Sequence, residues 1–227
     1  MKDFRRGIAL ILTSLMLLGL TACSLPKPPT QKDRIVTLVQ GNLDEIYLGK
    51  TSDAYLRMVD STAEQAQANY QEGIEAEAKY FCGYFDVESP SDELMAELID
   101  LYKEIYSHSR YTVGEATKVD DKTYSVAVDV EPINIMELAI DSHEEALADF
   151  YEKYADADTE AMTDEEYQAY DNDWFRAVLD MVKAQLPNLG YQDPVTVDMR
   201  VTLGEDDVWQ INDEDWQELD TEIICYP

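Results

Sequence analysis

The chain has 227 residues, of which 48 are Asp or Glu and only 17 are Lys or Arg, so its formal net charge at pH 7 is −31. A surface this acidic repels phosphate groups, which excludes nucleic acid as a partner. Hydrophobic residues make up 45% of the chain, which is enough for one core of domain size.

The first 22 residues have the pattern of a signal peptide. Lys2, Arg5 and Arg6 precede an apolar stretch from residue 8 to residue 20, and a basic segment followed by a short apolar one is typical of export signals. Crossing about 30 Å of hydrocarbon takes about 20 residues. The stretch is shorter than this, so a transmembrane anchor is the weaker interpretation.

The leader ends in Leu20-Thr21-Ala22-Cys23. This motif resembles a bacterial lipobox, in which an aliphatic residue and two small residues precede a lipidated cysteine. The resemblance implies cleavage before Cys23 and a diacylglyceryl group on its sulfur. The bilayer would then be a partner through two acyl chains, the number that gives stable anchoring. The implied location is the cell membrane, with the protein lipid-anchored on the extracytoplasmic face. The alternative is an ordinary secretory signal with a chance cysteine.

Residues 23–32 form a Pro-rich tether after the lipidated cysteine. Proline favours an extended chain, and nine or ten such residues span on the order of 30 Å. The leader has a net charge of +2, so its removal leaves −33 on the rest of the chain. We expect an acidic body that is held close to the membrane.

The body, residues 33–227, is predicted to be a single α+β domain. Apolar residues at three- and four-residue spacing predict helices over about 33–48, 52–60, 62–86 and 92–106. We predict that Ser61 and Glu64 form a capping box for the third of these helices, and that Ser91 caps the fourth.

The spacing of apolar residues then changes to two, which predicts strands that bury one face of an antiparallel sheet. The predicted strands cover residues 111–119, 124–131 and 195–203, with a last one that starts at 208. A helical pair, about 134–188, is inserted between them. Its first helix is predicted over residues 134–156, and its second, over about 164–186, begins with a Thr163–Glu166 capping box. The tail from Trp216 to Pro227 is predicted as an edge strand or an irregular wrap.

The order of these elements carries a second resemblance. Helices followed by an antiparallel sheet, with strands at 124–130, 195–203 and a closing 208–212, resemble the nuclear transport factor 2-like (SnoaL-like, cystatin-like) superfamily. Uncharacterised Gram-positive lipoproteins also resemble this arrangement. The superfamily implies a curved sheet wrapped on helices around a conical pocket, which is catalytic in some members and only binds, or is filled, in many. The helical insertion departs from the simplest version of that fold.

No motif in the body indicates a metal or cofactor site. His108 and His143 are far apart and lack the spacing of zinc ligands. Asp156-Ala157-Asp158-Thr159-Glu160 begins like a calcium-binding EF-hand loop, but the later Gly and Glu of that loop are missing. This segment and a second acidic cluster, residues 213–215, are predicted as solvated loops. We therefore predict no metal and no cofactor.

Two cysteines remain after lipidation. Outside the membrane Cys82 and Cys225 are free to form a disulfide, which we predict, and which would stabilise the fold by about 2–4 kcal/mol. Two separate thiols are the alternative. Arg200 is a lone cation on the polar face of its strand. It either marks a pocket or pairs with a neighbouring acid, and we favour the pairing.

The sequence assigns no catalytic residue, because it has no Gly-x-Ser-x-Gly elbow, P-loop or Gly-x-Gly-x-x-Gly. We expect a non-catalytic binding or interaction module at the cell envelope, for an unknown protein or small ligand. One alternative is a hydrolase-like enzyme that uses a pocket carboxylate, which a deep pocket with a perturbed pKa would favour. The other is a purely structural envelope protein.

Overall fold

Helices dominate the computed structural model, which describes residues 28–205 and 207–227. The α-helices are α1 Gln31–Leu48, α2 Asp53–Met58, α3 Ala63–Tyr84, α4 Asp92–Ser107, α5 Ile135–Asp141, α6 His143–Ala146, α7 Ala148–Lys153, α8 Asp164–Ala184 and α9 Asp213–Ile223. The strands are β1 Arg110–Val113, β2 Thr117–Lys118, β3 Thr123–Glu131, β4 Val195–Leu203 and β5 Trp209–Ile211. The predicted fold class is confirmed: an α+β protein with N-terminal helices, a curled antiparallel sheet and helices inserted between strands.

The sheet is centred on the antiparallel pair β3 and β4, in the order β1-β3-β4-β5, and β2 also pairs with β3. Register runs from Thr123 opposite Thr202 to Val130 opposite Val195. Valines at alternate positions of β3 are buried, as is Met199 of β4. Because successive strand residues point to opposite faces, the apolar residues of both strands share one face, which is part of the core.

The predicted strand over residues 111–119 is divided in two. β1 and β2 both pair with β3, and Gly114 lies in the interruption between them. The Gly114 amide donates to the carbonyl oxygen of Ala127 at 2.8 Å. A Cβ at Gly114 would lie 3.0 Å from that same oxygen, so the glycine permits this close approach where the regular pairing stops.

Most predicted helix caps are confirmed. Ser91 and Thr163 each accept a hydrogen bond from a backbone amide of the first turn, and the Thr163–Glu166 capping box is present. The prediction of a Ser61 cap is wrong. Thr62 has the extended backbone that a cap requires, and its hydroxyl oxygen accepts from the Gln65 amide at 3.1 Å. The helix therefore begins one residue later than predicted.

The first predicted helix of the insertion, residues 134–156, is three short helices, α5, α6 and α7. The first break is at Ser142, whose hydroxyl donates to the Ala139 carbonyl oxygen at 2.9 Å. Such a local side-chain bond competes with regular helical hydrogen bonding. The second helix of the insertion, α8, is continuous as predicted.

The tail is helical, so the prediction of a strand or irregular wrap after Trp216 is wrong. Asn212 caps α9, and its side-chain oxygen accepts from the amides of Glu214 and Asp215. Acidic residues in a first helical turn are favourable because they face the positive end of the helix dipole. The predicted acidic loop at 213–215 is therefore the first turn of this helix.

Residues Gln31–Pro227 form one compact unit. Among the helices of the described part of the chain, none is long and apolar enough to cross a membrane. The predicted signal peptide, Cys23 and most of the tether lie outside the described residues.

Candidate functional site

A cavity of about 710 Å³ lies between α1, α3, α4, α9 and the C-terminal tail. Sites for small molecules in proteins usually measure about 300–1,000 Å³. The cavity combines aromatic rings with carboxylates, whereas its other walls are apolar or small. Its aromatic and acidic lining residues are Tyr47, Glu77, Tyr80, Tyr106, Trp216, Asp220, Glu222 and Tyr226.

Glu77 is the inner carboxylate of this cavity. It follows Ile74 by three residues on α3, so it shares the side of the helix that faces the core. The hydroxyl of Tyr226 donates to its Oε1 at 2.9 Å. Burial raises the pKa of Glu77 above its usual value, the charge of Asp220 raises it further, and hydrogen bonds from Tyr226 and Tyr106 offset part of this rise.

Asp220 is the outer carboxylate, exposed on α9 at the mouth of the cavity. The hydroxyl of the buried Tyr47 donates to its Oδ1 at 2.6 Å. Burial first, and the charge of Asp220 second, raise the pKa of Tyr47 well above its usual value. Tyr47 therefore stays protonated at neutral pH and acts as a hydrogen-bond donor to the acid.

Aromatic rings form much of the wall. Trp216 stacks on Tyr47 with ring centroids 6.1 Å apart and planes at 7°, and Tyr106 meets Tyr47 edge-on at 5.4 Å. Tyr80 and Tyr226 pack edge to face at 4.9 Å, and Tyr80 is 56% exposed. The rings thus extend from the core to the solvent-exposed rim.

The C-terminal tail is held as part of this wall by tyrosines on two helices. The hydroxyls of Tyr102 and Tyr226 hydrogen-bond to each other. The hydroxyl of Tyr84 donates to the carbonyl oxygen of Pro227 at 2.7 Å, and its ring packs against Tyr226. These contacts hold Tyr226 against Glu77, so the C-terminal tail closes this side of the cavity.

The described lining of the cavity has acidic side chains but no basic side chain. None of its described lining residues is Lys, Arg or His. Within the described part of the chain, Glu77, Asp220 and Glu222 take no part in any ion pair. Instead of a cation, Glu77 and Asp220 each have a tyrosine hydroxyl that donates to them.

The two cysteines of the described chain carry no disulfide in this structure. Cys82 and Cys225 are both free thiols, and their pairing stays a prediction. Cys82 is buried on α3, and burial raises the pKa of its thiol to about 11. Cys225 lies at the wall of the cavity.

Arg200 pairs with an acid, as favoured from the sequence. Its guanidinium donates to both carboxylate oxygens of Asp215, with the shortest contact 2.6 Å, and its backbone amide also donates to Asp215 at 2.7 Å. This contact lowers the pKa of Asp215, and it ties α9 to β4. Arg200 does not line the cavity.

The remaining sequence candidates do not converge. His108 directly follows the end of α4 and His143 begins α6, and both side chains are exposed. The 156–160 segment is exposed around a short 3₁₀ turn. In the described residues, no group of three or more His, Cys, Asp or Glu side chains is arranged to hold a metal ion.

Sequence reasoning missed Glu77, Asp220 and Tyr226. One signal was present: Glu77 lies beside the apolar stripe of α3, three residues after the buried Ile74, where a charged residue is out of place. Nothing comparable marks Tyr226, which lies 149 residues from Glu77. The contact depends on how the tail packs against α3.

The fold and cavity together define an α+β protein with a curled antiparallel sheet and an acidic, aromatic cleft between helices. The chain belongs to the family described as "Domain of unknown function (DUF5105)", whose family model matches residues 39–224. A search of curated proteins found no match to this chain.

A crystal structure from Bacillus subtilis subsp. subtilis str. 168, of a "putative lipoprotein (ycdA)", has a similar fold, with a TM-score of 0.53 at 15% identity. The match covers 84% of this chain and 56% of that chain, so this chain spans a little over half the length of the similar protein.

Proposed function

We propose that this protein is a lipid-anchored, extracytoplasmic binding module that holds a small ligand in its aromatic, acidic cavity and performs no chemistry on it. The observation that carries the proposal is the cavity itself. It has the volume of a small-molecule site and convergent polar groups. The proposed anchor is a diacylglyceryl group on Cys23, and the bilayer is its partner.

The location is supported by two observations. The sequence has the pattern of a signal peptide followed by a lipobox-like motif at Cys23. The protein of similar fold is described as a lipoprotein.

Labelling the full chain with a fatty-acid analogue in a Gram-positive host tests the anchor. We expect label and membrane retention in the wild type and in Cys225→Ser, and neither in Cys23→Ser. Label retained by Cys23→Ser would contradict the anchor.

We also propose the nuclear transport factor 2-like superfamily for the body, on the support of the curled antiparallel sheet that follows the N-terminal helices. The cavity departs from the conical pocket which that resemblance implies. Its lining residues come from helices and the tail, and no strand residue is among those described. The ligand site proposed here is therefore specific to this arrangement of helices.

Binding is favoured over catalysis by the state of the polar groups. The carboxylates of Glu77 and Asp220 already accept tyrosine hydroxyls. Burial raises the pKa values of Tyr47 and Tyr106, so these hydroxyls do not act as bases at neutral pH. The thiol of Cys225 also has a raised pKa, which disfavours the nucleophilic thiolate.

An enzyme is the second candidate, because the pKa of Glu77 is raised, and a raised carboxyl pKa suits a general acid. Turnover of chromogenic esters or glycosides by the purified protein, abolished in Glu77→Gln, would favour this candidate. We expect no such turnover.

A thermal-shift screen of metabolites tests the cavity as the ligand site. Gly73 lines the cavity, and a Cβ added there meets no heavy atom within 4 Å. Gly73→Phe therefore places a ring in the free space. Gly83→Phe, on the same helix and equally unobstructed but outside the cavity, is the matched control.

We expect compounds that raise the melting temperature of the wild type and of Gly83→Phe but not of Gly73→Phe. Compounds that stabilise all three proteins equally would place binding elsewhere and contradict the proposal.

A further inference from the structure

We infer that the ligand of this cavity is a small organic cation, a protonated amine whose N–H groups bind Glu77 and Asp220 while its carbon skeleton packs against the aromatic wall. This inference rests on the proposed function, because it assigns a chemical class to the ligand of the same cavity. It follows from charge, from hydrogen-bonding polarity and from shape.

The charge of the cavity is one-sided. Glu77, Asp220 and Glu222 line it, and no Lys, Arg or His is among its described lining residues. An anionic ligand would meet uncompensated negative charge in a partly desolvated space, where Coulomb interactions are stronger than in bulk water. A cationic ligand would supply the counter-charge that the protein itself does not provide.

The hydrogen-bonding polarity points the same way. An ionised carboxylate only accepts hydrogen bonds and has room for about four. The hydroxyl protons of Tyr226 and Tyr47 are already directed at Glu77 and Asp220. The two carboxylates therefore keep unused acceptor positions, and a ligand with N–H donors complements them.

The aromatic rings favour an organic cation over a metal ion. Trp216 is stacked on Tyr47, and Tyr80 extends the wall to the rim. Aromatic faces attract ammonium groups by about 0.5–2 kcal/mol each, and they also bury hydrocarbon. A bare cation needs several oxygens around one point, and the described residues contain no such cluster of three acids.

The size of the space favours a free small molecule over a protein side chain. A volume of about 710 Å³ exceeds what one lysine or arginine side chain fills. The walls are continuous from α3 to the tail, where Tyr226 is fixed by Tyr102. We therefore commit to a small-molecule amine, and a basic peptide is one outcome of the test.

Isothermal titration calorimetry of the full chain in detergent tests the inference. The probes are putrescine, spermidine and phenethylamine as cations, 1,4-butanediol as a neutral compound and succinate as an anion. Titrations are made at about 0.15 M salt, where attractions between exposed charges are screened beyond about 8 Å. We expect at least one amine to bind, and neither butanediol nor succinate to bind.

The variants identify the site. Glu77→Gln keeps the size of the side chain and removes its charge, and we expect it to weaken amine binding by about tenfold or more. Asp220→Asn should weaken binding by a smaller factor, because Asp220 is exposed. Glu144→Gln, an exposed acid on α6 away from the cavity, is the control and should bind as the wild type does. Circular dichroism checks that each variant is folded.

Four results would overturn the inference. Equal weakening by Glu144→Gln and Glu77→Gln would mean attraction to the acidic surface as a whole. Binding of oligolysine but of no amine would indicate a protein partner. If only butanediol, succinate or another non-cationic compound binds, and Gly73→Phe blocks that binding, the proposed binding function would stand. The inference that the ligand is a cation would be refuted. No binding by any compound in either screen would refute both.

Discussion

Replacing Gly73 by alanine should stabilise the protein, because this glycine lies in the middle of α3 with open space beside it. A glycine inside a helix costs stability relative to alanine, since it loses more backbone freedom on folding. The Cβ of Gly73→Ala meets no heavy atom within 4 Å, so no clash opposes the gain. The cavity explains the space, because Gly73 is one of its lining residues.

The expected gain is about 0.5–1 kcal/mol in the free energy of unfolding. In a domain of about 200 residues, 1 kcal/mol shifts the melting temperature by about 2–4 °C. Gly83→Ala is also free of contacts but lies next to the last residue of α3, where helices fray, so its gain should be smaller. Gly41→Ala should destabilise the fold by about 1–3 kcal/mol, because its Cβ would lie 2.1 Å from the ring of the buried Tyr55.

Urea denaturation followed by far-UV circular dichroism measures all three variants against the wild type. The reasoning requires Gly73→Ala to raise the midpoint, Gly83→Ala to raise it less and Gly41→Ala to lower it. A Gly73→Ala variant that is less stable than the wild type would mean that the space beside α3 is filled. In that case the cavity does not extend to Gly73, and Gly73→Phe would not block it.

Two further predictions concern the C-terminal helix and the thiols. Because the Arg200 contact lowers the folded pKa of Asp215, its stabilisation is present above about pH 3.9 and is lost as the pH falls through the folded value. Asp215→Asn should therefore cost about 1.5–3 kcal/mol at pH 7 in urea denaturation, and the difference from the wild type should shrink at pH 3. The raised pKa and burial of Cys82 predict that a thiol reagent labels Cys225 in the native protein and Cys82 only after unfolding. If neither cysteine is labelled after the protein is unfolded without reductant, the two cysteines instead form a disulfide.

Elements with long, regular patterns were predictable from sequence. The apolar residues of α3 recur at helical spacing, and those of β3 and β4 alternate with polar ones. Each pattern is long enough to be compatible with only one type of secondary structure. The single helix over 134–156 was wrong because a local hydrogen bond at Ser142 outweighs an apolar pattern that spans the break. The α9 helix did have signals, an Asn212 cap and apolar residues three to four apart, but its acidic composition concealed them.

The cavity was beyond sequence reasoning for a different reason. Its walls come from helices at both ends of the chain, and they meet through contacts such as Tyr47 to Asp220, which are 173 residues apart. Each wall residue taken alone is ordinary: a tyrosine at a core position or an acid in an acidic chain. Only the packing of α9 and the tail against α1 and α3 brings these residues together.

Glu77 and Asp215 show how the same chemical group serves two purposes in this fold. Asp215 is buried beside Arg200, which lowers its pKa, so its charge stabilises the protein. Glu77 has no cation, and burial together with Asp220 raises its pKa. Between the unfolded value of about 4.3 and the raised folded value, the native state binds more protons than the unfolded state, so stability falls as the pH rises through this window.

The Glu77→Gln variant should therefore lack this component of the pH dependence, which urea denaturation at pH 4 and pH 8 measures directly. Its stability relative to the wild type should be greater at pH 8 than at pH 4. Equal pH dependence in the two proteins would show that ionised Glu77 is not under strain and needs no counter-charge. If the predicted pH dependence is found, ionised Glu77 destabilises the protein with an empty cavity, and a bound amine would offset this destabilisation in the wild type. Glu77→Gln has no buried charge for an amine to neutralise.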